Sequence, residues 1–262
     1  MISPLAYIDP EATLGKNVTI DPFATIHKNV VIGDGTWVGA HAVLMEGARI
    51  GNNCKIFPGA VLSAIPQDLK FVGEETTAEI GDNTTIREFV TVNRGTKAKG
   101  LTKIGKDCLV QSYAHVAHDC NIGDFCILGT HAGLAGEVEV EDYAIVSPYS
   151  VAHQFVRIGT HSFVQATGKV SKDVPPFVLA GREPLSYTGI NSIGLRRKNF
   201  KNETIYEIQE IYRIIYQKGM NISDAIGFIE TTLPASAERD QILLFVRNSK
   251  RGIIRGYFDD KD

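Results

Sequence analysis

Aliphatic residues recur at every sixth position over about two-thirds of the chain. Stepping by six from Ile8 to Val170 visits 28 positions, and 24 of them hold Ile, Leu or Val. A strict six-residue period fits neither an amphipathic helix nor a simple alternating strand. It predicts a prism in which each group of six residues forms one short strand and one turn. The four exceptions to the period are Asp68, Glu74, Ala98 and Ala152.

Three such groups complete a coil of 18 residues, and stacked coils bury the aliphatic position along the prism axis. Strands of successive coils then pair in parallel. The sequence therefore predicts an all-β solenoid, a parallel β-helix of hexapeptide repeats. A left-handed wind is expected from the resemblance to known hexapeptide proteins and not from the spacing, because it opposes the usual right-handed crossover.

Two interruptions of the repeat predict loops, at residues 63–77 and 93–101. Leu62 and Ile80 are 18 residues apart, and Val92 and Ile104 are 12 apart, so the register resumes unchanged after each interruption. Long loops on a rigid scaffold often carry function. The alternative is that both are insertions without a role.

The repeat ends near Pro175 and Pro176, which cannot continue a ladder of strands. We therefore expect a β-helix over residues 1–180, followed over 181–262 by a connector and a C-terminal α-helical region. A helical pattern begins near residue 202 and stops at Lys218 and Gly219. Two further helices are predicted over 221–230 and 236–248. They cover the open end of the prism or pack against a neighbour.

Composition places the chain among soluble globular proteins. The net charge is −3 and the hydrophobic fraction is 44%, with a pI of about 6.2. These values argue against a nucleic-acid partner. The first residues lack a basic stretch followed by an apolar one, and no run approaches the ~20 apolar residues that span a bilayer. We expect a cytoplasmic protein without stable membrane insertion.

The four cysteines suggest core packing more than chemistry. Each one precedes an aliphatic position by two residues, where the repeat otherwise places small side chains. Free cysteine behaves as a small buried hydrophobe. Disulfides or a metal site are the alternatives. The four are Cys54, Cys108, Cys120 and Cys126.

The segment around His118 carries the candidate chemistry. Coils of 18 residues place His118, Gly136 and Gln154 in one column. His118 follows the inward Val116 by two residues, which predicts a position at a turn and argues against a buried histidine. A neutral imidazole there can take a proton from an attacking hydroxyl in acyl transfer. Asp119 can orient the ring or face solvent, and the Gly136 N–H suits a developing oxyanion. An idle surface histidine is the alternative.

A covalent mechanism and a metal site have less support. Every cysteine fits the core, so no thiol nucleophile is evident. Hexapeptide β-helices that bind zinc typically have one histidine followed five residues later by another. In this chain His115 and His118 are three residues apart. No metal is therefore expected.

Six segments of the chain together carry a family resemblance: they are IPQDLKFVGEET, AHVAHDCNIGD, AGLAGEVEVEDYAIV, VAHQFVRIG, KDVPPFVLAG and GLRRKNF. They resemble the UDP-N-acetylglucosamine O-acyltransferases that begin lipid A biosynthesis. The resemblance runs through nearly the whole chain, including both interruptions and the helical tail. It implies transfer of a 3-hydroxyacyl group from acyl carrier protein to the 3-hydroxyl of UDP-N-acetylglucosamine, and a homotrimer. The donor is carried on the phosphopantetheine of the carrier protein, and no other cofactor is implied.

The resemblance also implies roles for individual residues. His118 matches the general base, Asp119 the carboxylate that supports it, and Gly136 the oxyanion-hole glycine. The sugar and acyl-pantetheine sites match Asp68, Lys70, His115, His153 and Gln154. The nucleotide site matches Asn191, Arg197 and Lys198. The residues alone also favour a phosphate site at Arg196, Arg197 and Lys198, since clustered cations suit a pyrophosphate. A solvated basic patch is the alternative there.

Two positions depart from the family pattern. Glu137 replaces a histidine near the sugar, and Ala166 occupies a position thought to limit acyl length. The rival hypotheses are the N-acyltransferase that acts later in lipid A assembly, a small-acyl enzyme that uses acetyl-CoA, and a non-enzymatic binding solenoid.

Overall fold

A computed structural model describes residues 1–256 of the chain. Twenty-seven strands and four helices lie within this part. In chain order the strands are β1 (Tyr7–Ile8), β2 (Thr13–Leu14), β3 (Thr19–Ile20), β4 (Thr25–Ile26), β5 (Val31–Ile32), β6 (Trp37–Val38), β7 (Val43–Leu44), β8 (Ala48–Ile50), β9 (Lys55–Ile56), β10 (Val61–Ala64), β11 (Thr77–Ile80), β12 (Thr85–Ile86), β13 (Thr91–Asn93), β14 (Leu101–Ile104), β15 (Leu109–Val110), β16 (His115–Val116), β17 (Asn121–Ile122), β18 (Ile127–Leu128), β19 (Gly133–Leu134), β20 (Glu139–Val140), β21 (Ile145–Val146), β22 (Val151–Ala152), β23 (Arg157–Ile158), β24 (Phe163–Val164), β25 (Lys169–Val170), β26 (Val178–Gly181) and β27 (Ser186–Ile190).

Each strand pairs with the strand three places later, so the chain winds around a three-sided prism. The first face contains every third strand from β1 to β25, and the second face those from β2 to β23. The third face runs from β3 to β24 and ends with β26 and β27. All pairings are parallel except that of β26 with β27. The predicted parallel β-helix is confirmed.

Three corners connect the faces, and each corner is a column of turns. The first corner joins the first face to the second, for example at residues 117–120 and 135–138. The second corner joins the second face to the third at residues 123–126 and 141–144. The third corner joins the third face to the first at residues 129–132. Every corner requires backbone with positive φ, and non-glycine residues adopt it at about 1–2 kcal/mol each. In the first corner these residues are Asn29, Asp119, Glu137 and Phe155.

The prism interior holds the aliphatic column that the period predicted. Ile56, Leu62, Ile104 and Val116 are each 0% exposed. The four cysteines are buried and unpaired with one another. Burial raises the pKa of the Cys120 thiol to about 12, which disfavours the reactive thiolate. The role of these cysteines as core residues is confirmed.

The two interruptions leave the prism at the first corner. Val61 pairs with Thr91, thirty positions on, and Thr91 pairs with His115, twenty-four positions on. The insertions therefore add two and one groups of six, respectively. The loops between strands are shorter than expected, at residues 65–76 and 94–100 instead of 63–77 and 93–101. Their end residues complete strand pairs with neighbouring coils, and that pairing satisfies backbone groups that a loop would leave open.

The helices are α1 (Ser192–Arg197), α2 (Asn202–Gln217), α3 (Ile222–Thr232) and α4 (Ala237–Arg247). Helix α2 ends at Gln217, next to the predicted stop at Lys218. Helix α4 begins after Ser236, whose hydroxyl accepts from the Arg239 N–H at 3.1 Å. The buried Tyr212 of α2 donates its hydroxyl to Pro176 O at 2.6 Å, so this helix covers the end of the prism. Residues 257–262 of the predicted helical region lie outside the described residues.

The predicted connector contains two regular elements that the sequence pattern did not indicate. Strand β27 pairs with β26, and Tyr187 of β27 stacks on Tyr216 of α2 with ring centroids 4.4 Å apart. Helix α1 follows immediately, capped by Asn191. The edge of the sheet at β26 and the aromatic surface of α2 stabilise β27 and α1. Both elements are too short to show a periodic pattern in the sequence.

A core truncation should cost stability. Ile122 is 0% exposed in the coil that contains His118. We expect Ile122→Ala to lower the free energy of unfolding by about 2–5 kcal/mol, because the cavity loses packing contacts. Urea unfolding followed by circular dichroism measures this loss. Val31→Ala, at a solvent-exposed position of β5, is the matched control. A loss equal to that of the control would contradict the assigned core position.

Candidate active site

His118, Gly136 and Gln154 form one column in the first corner, as the 18-residue repeat predicts. The pairing of β16 with β19 and of β19 with β22 sets this register. The Glu137 N–H donates to His118 O at 3.0 Å, and the Phe155 N–H donates to Gly136 O at 3.3 Å. The three residues therefore occupy equivalent positions in successive coils.

Gly136 lies directly against the His118 ring. A Cβ atom at Gly136 would be 2.6 Å from both Cε1 and Nε2 of His118, closer than real Cβ contacts. Only glycine lets the imidazole lie on this backbone. Within residues 1–256 the Gly136 N–H finds no acceptor. This buried backbone donor is therefore unused by the described part of the chain.

His118 is at a turn, as predicted, but the expectation that it is not buried is wrong. Its residue surface is 8% exposed. The burial comes from outside the prism, because both loops depart from the first corner in the two preceding coils. Asp68 of the first loop places Oδ2 3.9 Å from His118 Nε2.

Asp119 turns back towards His118 and does not face solvent. Its φ of 60° folds the carboxylate beside the ring, with Oδ2 2.8 Å from His118 Nδ1. A carboxylate only accepts, so Nδ1 carries the proton and Nε2 keeps its lone pair. Asp119 is 0% exposed. The pair therefore presents a proton acceptor, in a fixed tautomer, towards the space near Asp68.

Thr96 and Thr102 were missed by the sequence reasoning. Thr96 donates to the Asp119 carboxylate through its N–H at 2.9 Å and its hydroxyl at 2.7 Å. Thr102 accepts from the Asp119 N–H at 2.8 Å. The spacings across both interruptions are multiples of six, so the register places both loops at the corner of His118. This placement is the signal in the sequence that could have indicated these contacts.

The other predicted residues of this corner lie on the first face, in the first loop and at turns of the first corner. His115 faces outward on the first face, with Nδ1 2.7 Å from Thr91 Oγ1. Burial lowers the pKa of His115, so its ring is neutral at neutral pH. Lys70, His153 and Gln154 are exposed, and Glu137 is half-buried.

A cavity of about 570 Å³ extends from this corner towards the helical region. Glu137 and Phe155 line its lower part, and Lys250 and Arg251 line its upper part. Within residues 1–256, neither of these two cations forms an ion pair. The remaining lining residues are Lys99, Glu139, Arg157, Asp173 and Asn248.

The predicted nucleotide residues do not meet His118 within one chain. Asn191 caps α1, where its side chain accepts from Gly194 N–H at 3.2 Å and donates to His161 O at 2.9 Å. Lys198 Nζ lies 4.7 Å from the Tyr143 ring centroid, which places it at the second corner. Arg196 and Arg197 are exposed beside it, and Ala166 is exposed at the third corner. The expected binding residues thus occupy three different corners.

Two negative findings concern the described residues only. Over residues 1–256, no group of three or more His, Cys, Asp and Glu side chains is arranged to hold a metal ion. No helix in this part of the chain has the length and apolar character needed to cross a membrane.

Comparisons with known proteins agree with this architecture. The model of the family described as Udp N-acetylglucosamine O-acyltransferase, domain 2, matches residues 173–254. The bacterial transferase hexapeptide repeat matches residues 29–64 and 101–136.

Curated relatives match over nearly the whole chain. An acyl-[acyl-carrier-protein]–UDP-N-acetylglucosamine O-acyltransferase of Paracidovorax citrulli is 49% identical over 97% of this chain and 99% of its own. The protein of the same name from Janthinobacterium is 42% identical over the same shares.

Solved structures match as well. LpxA, a UDP-N-acetylglucosamine acyltransferase from Bacteroides fragilis, is 55% identical with a TM-score of 0.96, over 97% of this chain and 100% of its own. The Francisella novicida UDP-N-acetylglucosamine acyltransferase is 35% identical with a TM-score of 0.95, over 100% and 95%. The fold is the left-handed parallel β-helix of hexapeptide repeats with C-terminal helices. The chain belongs to the acyl-[acyl-carrier-protein]–UDP-N-acetylglucosamine O-acyltransferase family.

Proposed function

We propose that the chain transfers a 3-hydroxyacyl group from acyl carrier protein to the 3-hydroxyl of UDP-N-acetylglucosamine, the first step of lipid A biosynthesis. The observation that carries the mechanism is the buried pair of His118 and Asp119 against the open N–H of Gly136. The proposed compartment is the cytoplasm, since four unpaired buried cysteines suit a reducing environment.

Each proton has a defined place in the proposed reaction. His118 Nε2 takes the proton of the sugar hydroxyl, and the oxygen attacks the thioester carbonyl carbon. The Gly136 N–H donates to the oxyanion that forms. The carbon–sulfur bond then breaks, and the imidazolium returns its proton to the departing pantetheine thiolate. His118 Nδ1 keeps its proton throughout and donates it in a hydrogen bond to Asp119, whose negative charge stabilises the imidazolium. The reaction needs no cofactor beyond the phosphopantetheine of the carrier protein.

Loss of His118 tests this assignment. We expect His118→Ala to lower kcat by about 10²–10⁴, the usual scale for general-base catalysis, and to keep its fold because the ring lies outside the prism. Wild-type activity should fall on the acid side, since a protonated imidazole cannot accept a proton. Single-turnover acyl transfer and circular dichroism measure both. His27→Ala, at a half-buried turn near the N-terminal end of the prism, is the control. A folded His118→Ala protein with near-normal turnover would refute the base.

The apolar side chains of the third face and the third corner suggest self-association. The outward side chains of the third face are mostly apolar, whereas those of the second face are largely charged. Prism edges that carry exposed aromatic rings are costly in water. Tyr113 stacks between Phe89 and His131 along the third corner, with centroids 5.1 and 4.9 Å away, and Phe89 and Tyr113 are each 51% exposed. The second face presents Arg49, Glu79, Lys103, Glu139 and Arg157, and the third presents Trp37, Leu109, Ile127, Ile145, Phe163 and Leu179.

A homotrimer around the third corner accounts for this distribution. A threefold axis along that edge packs the third face of one subunit onto the first face of the next and leaves the charged second face in water. The second corner of one subunit then meets the first corner of its neighbour. Asn191 and Lys198 of one chain would thereby reach His118 of another. The trimer thus unites residues that a single chain keeps apart.

Mixed assemblies test the shared site. We expect His118→Ala and Arg197→Ala, each weak alone, to regain activity when co-expressed, because some interfaces then combine an intact His118 with an intact Arg197. Purification by two different tags and assay of the mixed species measure the gain. Mixing His118→Ala with Asp119→Asn is the control, since both residues lie on the same side of every interface. Equal activity of the two mixtures would contradict a site shared between subunits.

The column of the first corner also suggests a path for the acyl donor. Lys172 lies three coils beyond His118 in this column, a rise of about 14 Å at about 4.8 Å per coil. The arm from phosphate to thioester carbon has about fourteen bonds, or about 16 Å at the pitch of an extended chain. Lys172, Lys250 and Arg251 would therefore meet the arm's phosphate while the thioester lies at His118. Glu137 lies beside this path and stays a candidate contact for the sugar.

Removing two of these cations tests the path. We expect Lys172→Ala with Lys250→Ala to raise the KM for acyl carrier protein about tenfold, because charge-assisted contacts to a phosphate are lost, and to leave the KM for UDP-N-acetylglucosamine unchanged. Steady-state kinetics with each substrate varied measure this. Lys16→Ala with Lys28→Ala, near the N-terminal end of the prism, is the control. An unchanged carrier-protein KM would refute the path.

A further inference from the structure

Within residues 1–256, the Asp119 carboxylate receives its hydrogen bonds from two sources. One is His118 Nδ1, at 2.8 Å from Oδ2. The other is the loop of residues 94–100. Thr96 donates its hydroxyl to the same Oδ2 at 2.7 Å and its N–H to Oδ1 at 2.9 Å, and the Lys99 N–H is 3.3 Å from Oδ1. Because Asp119 is 0% exposed, water does not replace these donors.

The same loop is anchored on its other side to the first loop, residues 65–76. The Thr76 hydroxyl donates to Gly95 O at 2.6 Å, and the Lys97 N–H donates to Glu74 Oε1 at 3.0 Å. The Ala98 N–H donates to the Thr96 hydroxyl oxygen at 3.2 Å, which turns its proton towards Asp119. The first loop returns to the histidine through Asp68, 3.9 Å from Nε2. The contacts form a closed ring from His118 through both loops.

Within residues 1–256, no backbone N–H of the prism donates to the Asp119 carboxylate. The N–H groups at the strand ends beside this corner donate to the next coil: Asn121 N–H donates to Val138 O, and Ala117 N–H donates to Leu134 O. A carboxylate that loses its hydration must gain hydrogen bonds from elsewhere. The loop of residues 94–100 supplies backbone and hydroxyl donors from outside the prism.

We infer that Thr96 is a positioning residue for the acyl transfer, which holds Asp119 and, through it, the orientation and basicity of His118. This inference rests on the proposed function. Thr96 is 7% exposed and acts through Asp119. Its hydroxyl shares Oδ2 with the imidazole, so it draws negative charge away from the atom that faces Nδ1. It thus limits how strongly Asp119 favours the protonated ring.

The test is Thr96→Val, which keeps the shape and the backbone N–H but removes the hydroxyl donor. We expect kcat to fall roughly tenfold to hundredfold, the scale of one hydrogen bond to a charged group, with KM for both substrates within about threefold. The acid limb of the kcat/KM profile should move to higher pH, because Oδ2 without the hydroxyl stabilises the imidazolium more. Thr96→Ser should restore both values.

Two controls separate positioning from stability. Thr84→Val removes another buried hydroxyl, which donates to Gly105 O at 2.8 Å in a column away from the first corner. It should alter the urea midpoint and leave the pH profile in place. In a His118→Ala background, Thr96→Val should cause no further loss of turnover. If Thr96→Val does not fold, Thr96→Ala compared with Thr96→Ser provides the same measurement.

The outcomes distinguish this inference from the function on which it rests. If His118→Ala is active, the proposed mechanism fails whatever Thr96 does. If His118→Ala is inactive while Thr96→Val keeps the kcat and the pH profile of the wild type, only the positioning role is overturned. A further loss in the double variant, or an equal shift of the profile in Thr84→Val, also overturns it.

Discussion

In-register hydrogen bonding between successive coils is the constraint on which this structure depends. Each coil provides the donors and acceptors for the coils above and below it, as in the bonds from Thr85 N–H to Cys108 O and from Leu109 N–H to Cys126 O. A shift of one residue would turn every buried aliphatic side chain outward. Insertions are therefore accommodated where the chain can leave the prism and return to the same place.

The same constraint turns the corners into columns, and one column carries the proposed active site. Residues at a corner lie about 4.8 Å from their counterparts in the next coil, so a ring at one level contacts the backbone at the next. Gly136 is required above His118 for this reason. The positive φ of Asp119 is a general property of these corners. Here it brings the carboxylate back to its own neighbour, with Oδ2 2.8 Å from His118 Nδ1.

Contacts with the two loops offset the free-energy cost of burying that pair. A charged group without water is costly unless it is paired and hydrogen-bonded. The loop of residues 94–100 provides the donors to Asp119, and the loop of residues 65–76 brings Asp68 to the open side of His118. The prism fixes the positions of His118 and Asp119 to within a fraction of the spacing between coils. The two loops determine how far solvent reaches these residues and which charges surround them. Rigid support and local burial are thus assigned to different parts of the chain.

The sequence alone determined the period, the prism, the buried cysteines and the column of His118, Gly136 and Gln154, because a strict repeat converts sequence distance into position. It also located both interruptions and most of the C-terminal helices. The resemblance, and not the period, supplied the roles of the nucleotide residues. Only the tertiary structure decided that His118 is buried, that Asp119 faces it, and that Thr96 holds Asp119. These facts depend on how non-repeating loops fold over a corner, and no periodic pattern encodes that path. Tertiary structure also separated Asn191 and Lys198 from His118, since the faces on which residues lie are set by the winding of the chain.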